Sequence, residues 1–180
     1  MVKIVIVGKI FNCRECIKID DEYLVDLSDA IDKNQLFCLN ESEVDSGKKV
    51  FRPREEMLDR SKFVRSNQGD EELLFFIPFL NQVDLKNMTM IGGENGSSPL
   101  HVKLYANQTH PDFSLLENTT CSMEFETVEN KDGEIAYELK PNKFKSITSL
   151  TLIVTRAIDS DFSKIYYISF VGTRTKVNFY

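Results

Sequence analysis

The chain has 180 residues, a net charge of −6 and an apolar fraction of 42%, values that suit one soluble domain with a sizeable core. It has no apolar run of about 18 residues, so no membrane-spanning helix is predicted. The acidic charge argues against nucleic-acid binding, which depends on basic side chains that neutralise phosphates. The first residues are apolar but lack a signal-peptide cleavage site, so we expect an intracellular protein.

The N-terminal arm, residues 1–22, begins with a β-branched strand at residues 2–7 and continues into Cys13 and Cys16. A CxxC pair after an apolar strand suggests thiol-redox chemistry, and the cationic Arg14 would lower the pKa of a neighbouring thiol. The residues that follow favour a helix poorly, so a redox function of this pair is kept only as an alternative. A zinc site would need two further ligands, and we predict no metal.

The two other cysteines, Cys38 and Cys121, are isolated in the sequence. Because we expect an intracellular protein, all four cysteines are predicted to be free thiols. The two histidines, His101 and His110, lie beside no recognisable serine or cysteine nucleophile motif. We therefore predict that the protein is not an enzyme and holds no cofactor.

The next part of the chain predicts little regular structure. Residues 20–36 mix apolar and acidic positions and predict a short helix at Leu27–Ile31, capped by Asp26 or Ser28. Residues 40–71 contain few apolar groups and predict a long surface connection. Three apolar side chains could fasten this connection to the domain: Phe51, Met57 and Phe63.

A basic segment at residues 48–65 lies within this connection. It holds seven basic and three acidic side chains, a net charge of +4, which leaves −10 on the rest of the chain. A basic segment on an acidic body is a plausible docking surface for an acidic partner, and a solvated loop of interleaved charge is the alternative. The candidate partner-binding residues are Lys48, Lys49, Arg52, Arg54, Arg60, Lys62 and Arg65.

From residue 71 onward, apolar or strictly alternating strands follow one another between turns. Their predicted ranges are Leu73–Phe79, Val83–Ile91, Leu100–Tyr105, Met123–Thr127, Ile135–Leu139, Leu150–Val154 and Ile165–Val171. Pro78 should lie at a strand end or a bulge, because it cannot donate a ladder hydrogen bond. The Asp132-Gly133 pair predicts a hairpin. Evenly spaced strands of this kind predict an antiparallel β-sandwich.

A Gly-rich turn at residues 92–96 separates two of these strands. It could suggest a phosphate cradle, but no Lys-Ser/Thr pair or helix follows it, and Glu94 would repel a phosphate. A turn at the end of the sandwich is the better interpretation. Because loops at such an end often bind ligands, carbohydrate or small-molecule binding is kept as an alternative function by analogy of fold.

The succession of pieces at residues 71–110 is specific: a strand ending in Ile-Pro-Phe, a second strand, the Gly-rich turn, and a third strand ending in Tyr-Ala-Asn-Gln. Four other stretches accompany it: LNES at 39–42, VFRPREEMLDRSKFVRS at 50–66, SLTLIVTR at 149–156 and KIYYISFVG at 164–172. Together they resemble the PITH domain, the proteasome-interacting thioredoxin-like C-terminal domain, over residues 23–174.

This resemblance implies an all-β fold, an antiparallel β-sandwich of jelly-roll, galactose-binding-like type, with a short N-terminal helical element. The expected organisation is an N-terminal arm at 1–22 that contains a strand and the CxxC pair, a PITH domain at 23–174 and a tail at 175–180. In two-domain relatives a thioredoxin domain comes first. Because some 22 residues are too few for that fold, a stand-alone PITH-domain protein is expected and an inherited reductase activity is in doubt.

The resemblance also implies a partner. We expect a non-catalytic interaction module that associates with the proteasome or its regulatory particle in the cytoplasm or the nucleus, without nucleic acid or membrane. The sequence leaves the oligomeric state open.

Overall fold

The computed structural model describes residues 4–6, 17–19 and 22–174. The strands are β1 (Ile4–Ile6), β2 (Ile17–Ile19), β3 (Glu22–Asp26), β4 (Phe37–Leu39), β5 (Val64–Arg65), β6 (Leu73–Gly92), β7 (Pro99–Ala106), β8 (Met123–Glu126), β9 (Ile135–Glu138), β10 (Ile147–Ala157) and β11 (Lys164–Arg174). The described residues also contain one short α-helix, α1 (Phe113–Glu117), and three 3-10 turns (Ser28–Ala30, Ser46–Val50 and Arg54–Glu56).

The strands form two antiparallel layers that share β6. The first half of β6 pairs with β4 and β10, and the first layer continues through β7 to β8. The second half of β6 pairs with β11 and β9, and the second layer continues to β3 and β2 on one side and to β1 on the other. The antiparallel sandwich predicted from the alternating strands is confirmed.

The strand β6 bends between the two layers. Opposite it on β10, Ile147 faces Val83 whereas Ser149 already faces Pro78, so the residues between them on β6 leave the ladder. Residues 80–82 are exposed at this bend. Pro78 lies at the irregularity, as its missing N–H predicts. The two strands that the sequence predicted on either side of the bend are one element of 20 residues.

The main core lies between the layers, where inward residues of both sheets meet. Two smaller clusters cover outer faces. On the first layer α1 buries Leu116 against Leu74 and Ile153. The sequence did not predict this helix, although Asp112 begins it as an N-cap, accepting a hydrogen bond from the Leu115 amide at 2.7 Å. Five residues are too few to show a helical period.

The hairpin predicted at Asp132-Gly133 is wrong. The backbone bends there, with Gly133 at φ 70°, but β8 pairs with β7 whereas β9 pairs with β6 and β1. The loop therefore crosses from one layer to the other. The buried side-chain amide of Asn130 holds this crossing, donating to the carbonyl oxygens of Met90 at 3.0 Å and Ile135 at 2.9 Å.

The N-terminal predictions are confirmed in part. Strand β1 lies within the stretch predicted at residues 2–7. The short helix predicted at Leu27–Ile31 is a 3-10 turn, and the Asp26 carboxylate accepts a hydrogen bond from the Ser28 amide at 2.7 Å. Cys13, Cys16 and the tail at 175–180 lie outside the described residues.

Candidate functional site

Residues 40–66, which we call the strap, contain the whole basic segment. The strap holds two 3-10 turns and β5, whose Val64 pairs with Ile165 of β11. The connection predicted as a loop is thus an ordered part of the domain. It joins the first layer at β4 to the return strand β6 and follows the second layer on its way.

Apolar side chains fasten the strap to the sandwich. Phe51 is 1% exposed and lies edge-on to Phe75, with ring centroids 5.8 Å apart. Met57 packs on the tyrosine-rich cluster of the second layer. Phe63 contacts Tyr166 at 6.1 Å but stays 37% exposed. Of the three predicted fasteners, two pack against buried clusters and Phe63 lies at the surface.

Arg52 is a structural residue of the strap. Its guanidinium, 4% exposed, donates to the carbonyl oxygens of Lys49 and Tyr166 at 2.8 Å, Asp59 at 3.0 Å and Glu56 at 3.1 Å. Burial is the main cause that lowers the pKa of Arg52, while the acidic side chains of Asp59 and Glu56 oppose that shift. Because its donors are committed inside the domain, Arg52 must be withdrawn from the predicted partner-binding residues.

Three lysines of the strap are each paired with a carboxylate. The pairs are Lys48–Asp45 at 2.8 Å, Lys49–Glu43 at 2.8 Å and Lys62–Glu56 at 2.7 Å. The hydrogen bond between Lys62 and Glu56 raises the pKa of the lysine and lowers the pKa of the glutamate. Such exposed pairs add little stability, but they neutralise the local charge.

The acidic partners change the interpretation of the basic segment. Glu41, Glu43 and Asp45 lie just before residues 48–65, and counting them reduces the net charge from +4 to +1. The strap is therefore a mixed-charge surface rather than a cationic one. The partner-binding role stays a prediction for its accessible cations.

Two arginines of the strap region lie on aromatic rings. The guanidinium carbon of Arg60 is 4.6 Å from the centroid of Tyr166, and that of Arg65 is 3.9 Å from the centroid of Phe162. Arg60 also donates to the Lys131 carbonyl, which ties the strap to the loop between β8 and β9. These contacts hold both guanidinium groups against the domain surface.

Exposed apolar side chains are the feature of the strap that sequence reasoning missed. Val44 is 84% exposed, Leu58 55% and Phe63 37%. They are half of the six large apolar side chains that are exposed in the described part of the chain. In the sequence, isolated apolar residues within a polar segment were the pattern that could have indicated these exposed side chains. An apolar centre surrounded by a polar rim is the composition typical of protein interfaces.

The strap begins at a tightly packed turn around Glu41. The Glu41 carboxylate accepts hydrogen bonds from the amides of Asp45 and Gly47, both at 2.6 Å. A side chain at Gly47 would overlap Cys38, so only glycine fits there.

Cys38 and Cys121 are free thiols. Burial, and then the Glu41 carboxylate, raises the pKa of the Cys38 thiol well above its ordinary value.

The raised pKa predicts an unreactive Cys38. In a chain whose other three cysteines are replaced by serine, we expect the folded protein to react with a thiol-specific disulfide reagent near pH 8 at least about tenfold more slowly than the unfolded chain, because the thiolate is the nucleophile. Absorbance of the released thiol, measured with and without guanidinium, gives both rates. Equal rates would show that Cys38 is neither shielded nor held neutral.

The Gly-rich turn does not offer a phosphate cradle. The amide of Gly93 donates to the Lys164 carbonyl at 2.7 Å, and a Cβ at Gly96 would overlap the carbonyl of Asp159. Its glycines thus serve close packing of residues 92–98 against the loop before β11. In the described part of the chain, Gly93 and Gly96 therefore pack against other segments of the domain and are not open to a phosphate.

His101 is placed near a hydroxyl and a carboxylate without forming a catalytic triad. Its Nδ1 lies 2.6 Å from the hydroxyl of Thr155, whereas its Nε2 is 3.7 Å from the Glu124 carboxylate, beyond hydrogen-bond distance. Among the described residues, no carboxylate therefore orients the imidazole as a general base. Within the described ranges no group of three His, Cys, Asp or Glu side chains is placed to hold a metal ion, and no helix is long and apolar enough to cross a membrane.

Comparison with solved structures identifies the type of sandwich. A family 32 CBM from C. perfringens NanJ in complex with galactose superposes with a TM-score of 0.56 and 8% identity, covering 82% of this chain and 98% of that one. An F5/8 type C domain from Bacteroides fragilis gives a TM-score of 0.52 at 12% identity, with coverages of 81% and 97%. The fold is thus a galactose-binding-like β-sandwich, as expected.

Comparison of sequences identifies the family. The PITH domain model matches residues 18–178. PITH domain-containing protein 1 of Mus musculus is 39% identical over 149 residues, which cover 82% of this chain and 69% of the mouse protein. The protein of the same name from Dictyostelium discoideum is 36% identical over 157 residues, with coverages of 87% and 77%. The family match spans the strap as well as the sandwich, and by these comparisons this chain belongs to the PITH-domain family.

Proposed function

We propose that this protein is a non-catalytic interaction module of the cytoplasm or nucleus that associates with the proteasome or its regulatory particle through the strap. Membership of the PITH-domain family supports the class of partner. The observation that carries the choice of surface is the set of exposed apolar side chains on an otherwise well-anchored segment, Val44, Leu58 and Phe63.

The anchoring of the strap favours docking because it reduces the entropy lost on binding. Phe51 and Arg52 are buried in the domain and anchor the strap between Val44 and Leu58. Leu58 and Val44 then reach solvent from a rigid support. The paired lysines Lys48, Lys49 and Lys62 lie close to these side chains in sequence and would supply a polar rim, which affects association rate and salt dependence more than affinity.

A non-catalytic role agrees with the geometry of the polar groups. The Lys164 carbonyl occupies the amide of Gly93 in the Gly-rich turn, and among the described residues no carboxylate lies within hydrogen-bond distance of His101. Tyr166 and Tyr167, in the cluster on which Met57 packs, are buried. Desolvation raises the pKa of Tyr167 to about 12, so this hydroxyl is not suited to proton transfer near neutral pH.

Retention of purified proteasome on the immobilised chain tests the proposal. We expect Val44→Asp with Leu58→Asp to reduce retention by about tenfold or more, because buried apolar contacts dominate interface energies. Leu80→Asp with Leu115→Asp is the matched control, since both leucines are exposed but lie outside the strap. Loss of retention only in the first variant supports the strap.

Two results would contradict the proposal. Failure of the unchanged protein to retain proteasome removes the partner, and unchanged retention of the Val44/Leu58 variant removes the strap. A charge variant, Lys49→Glu with Lys62→Glu, should mainly slow association at low salt, because both lysines lie at the rim and are already paired.

The two alternatives from the sequence are not proposed. The likeness to a galactose complex at 8% identity shows the fold alone, and the glycines of the Gly-rich turn pack against neighbouring segments. A redox role of Cys13 and Cys16 stays an untested prediction, since both cysteines lie outside the described residues.

A further inference from the structure

A second basic surface lies on the loop between β9 and β10. Residues 140–145 read Lys-Pro-Asn-Lys-Phe-Lys, three cations with no acidic residue among them. Lys140, Lys143 and Lys145 are all exposed. Within the residues that the structure describes, no carboxylate pairs with any of them, in contrast to the paired lysines of the strap.

The loop is held rigidly on the domain. Phe144 is fully buried in the main core, and its carbonyl accepts a hydrogen bond from the Leu85 amide at 2.9 Å. Beyond it, the amide of Ser146 donates to the Asp84 carboxylate at 2.6 Å. The backbone that presents the three ammonium groups is therefore fixed before any partner arrives, which lowers the entropy cost of binding.

The loop forms one wall of a surface cleft. The cleft is lined by Asp84, Leu85, Lys86, Pro141, Asn142 and Lys145. Its chemistry suits an extended chain: Asn142 offers an amide that can bond to a peptide backbone, and Pro141 offers apolar contact. One oxygen of the Asp84 carboxylate is already occupied by the loop itself.

The charges favour a short anionic chain over a large polyanion. Six residues reach at most about 20 Å, so the three ammonium groups can face only a few anionic groups at once. The rest of the molecule is acidic, since the chain as a whole carries −6, and would repel a nucleic acid or an anionic membrane extending beyond the loop. A few carboxylates on a peptide fit without that repulsion.

We propose that residues 140–145 and the adjoining cleft bind a short acidic segment of a partner protein. Unpaired ammonium groups attract the carboxylates, and the cleft receives the backbone of the segment. This surface adds to the strap and does not depend on association with the proteasome.

Binding of a fluorescein-labelled hexaglutamate peptide to the full chain, followed by fluorescence anisotropy at about 50 mM salt, tests the proposal. We expect measurable binding that weakens as salt increases. Replacing Lys140, Lys143 and Lys145 with glutamate should weaken it by about tenfold or more, and replacing the same lysines with glutamine by less. The glutamine variant keeps the test valid if charge reversal disturbs folding.

The matched control replaces Lys48, Lys49 and Lys62 of the strap with glutamate, an equal change of charge at another place. It should retain most of the binding. The proposal is overturned if the unchanged protein does not bind hexaglutamate, if the loop variants bind it normally, or if the strap variant loses as much. Tighter loop-dependent binding of an oligonucleotide or of phosphatidylserine vesicles would overturn the choice of a peptide. This experiment uses hexaglutamate and no proteasome. Failure of the acidic-peptide proposal therefore leaves the strap proposal testable, and the reverse also holds.

Discussion

Replacement of Arg52 with alanine will lower the free energy of unfolding by about 3 kcal/mol, although the residue lies in a segment that reads as a surface loop. In the folded protein its guanidinium joins the strap to β11 by donating to the Tyr166 carbonyl, and it closes the strap on itself by donating to the Glu56 and Asp59 carbonyls. Alanine leaves these buried acceptors without a donor, which costs more than the hydrogen bonds themselves contribute.

The Arg52→Lys variant tests whether the positive charge or the geometry of the guanidinium stabilises the strap. It keeps a cation but offers a compact ammonium instead of a planar fork, so it cannot serve four carbonyls in different directions. We expect Arg52→Lys to remain about 2 kcal/mol less stable than the unchanged protein. For a domain of this size, the loss of about 3 kcal/mol expected for Arg52→Ala corresponds to a melting temperature roughly 6–12 °C lower.

Urea denaturation followed by circular dichroism measures these changes. An Arg52→Ala protein within about 0.5 kcal/mol of the unchanged one would contradict the structural role of the guanidinium. The expected loss also limits docking experiments: reversal of Arg52 to glutamate would damage the fold, so lost binding in such a variant would say nothing about the partner surface.

Replacement of Phe51 with alanine should be as costly, about 3–4 kcal/mol. The Phe51 ring is 1% exposed and packs edge-on against Phe75 in the main core. Removing it leaves a cavity between the strap and the first layer and loses the aromatic contact. The same denaturation measurement applies, and the strap should become more susceptible to proteolysis because its main apolar anchor is gone.

Two controls define this result. Phe51→Leu fills most of the space and should cost about 1–2 kcal/mol. Leu58→Ala, on the same strap but 55% exposed, should change stability by no more than about 0.5 kcal/mol. If Phe51→Ala were no more destabilising than Leu58→Ala, the strap would not be part of the cooperative fold.

The strands were predictable because period-two alternation is a local property. In β7, Val102 and Leu104 are fully buried and Lys103 between them is partly exposed, as the alternation indicates. The bend of β6 was visible through Pro78, whose missing N–H affects any sheet in the same way. The Asp-Gly turn misled because turn chemistry fixes the local backbone and leaves open which strands pair on either side.

Charge was the property that the sequence represented least well. A window at 48–65 counts Lys48 and Lys49 but cuts off Asp45 and Glu43, their partners. The lysines at 140–145 have no distinctive pattern in the sequence, yet in the described structure all three are exposed on a rigid loop without a carboxylate partner. Pairing depends on where side chains meet after folding.

By itself, the sequence determined the family, the class of fold and the strands, because motif order and period-two alternation are local properties of the sequence. Only the tertiary structure decided that Arg52 is an internal brace, that Val44 and Leu58 stand in solvent, and that β8 and β9 belong to different layers. Burial and pairing arise from contacts between distant residues: Arg52 meets Tyr166 across 114 positions of chain. No local pattern contains that contact, so the binding surfaces had to be found in the folded molecule.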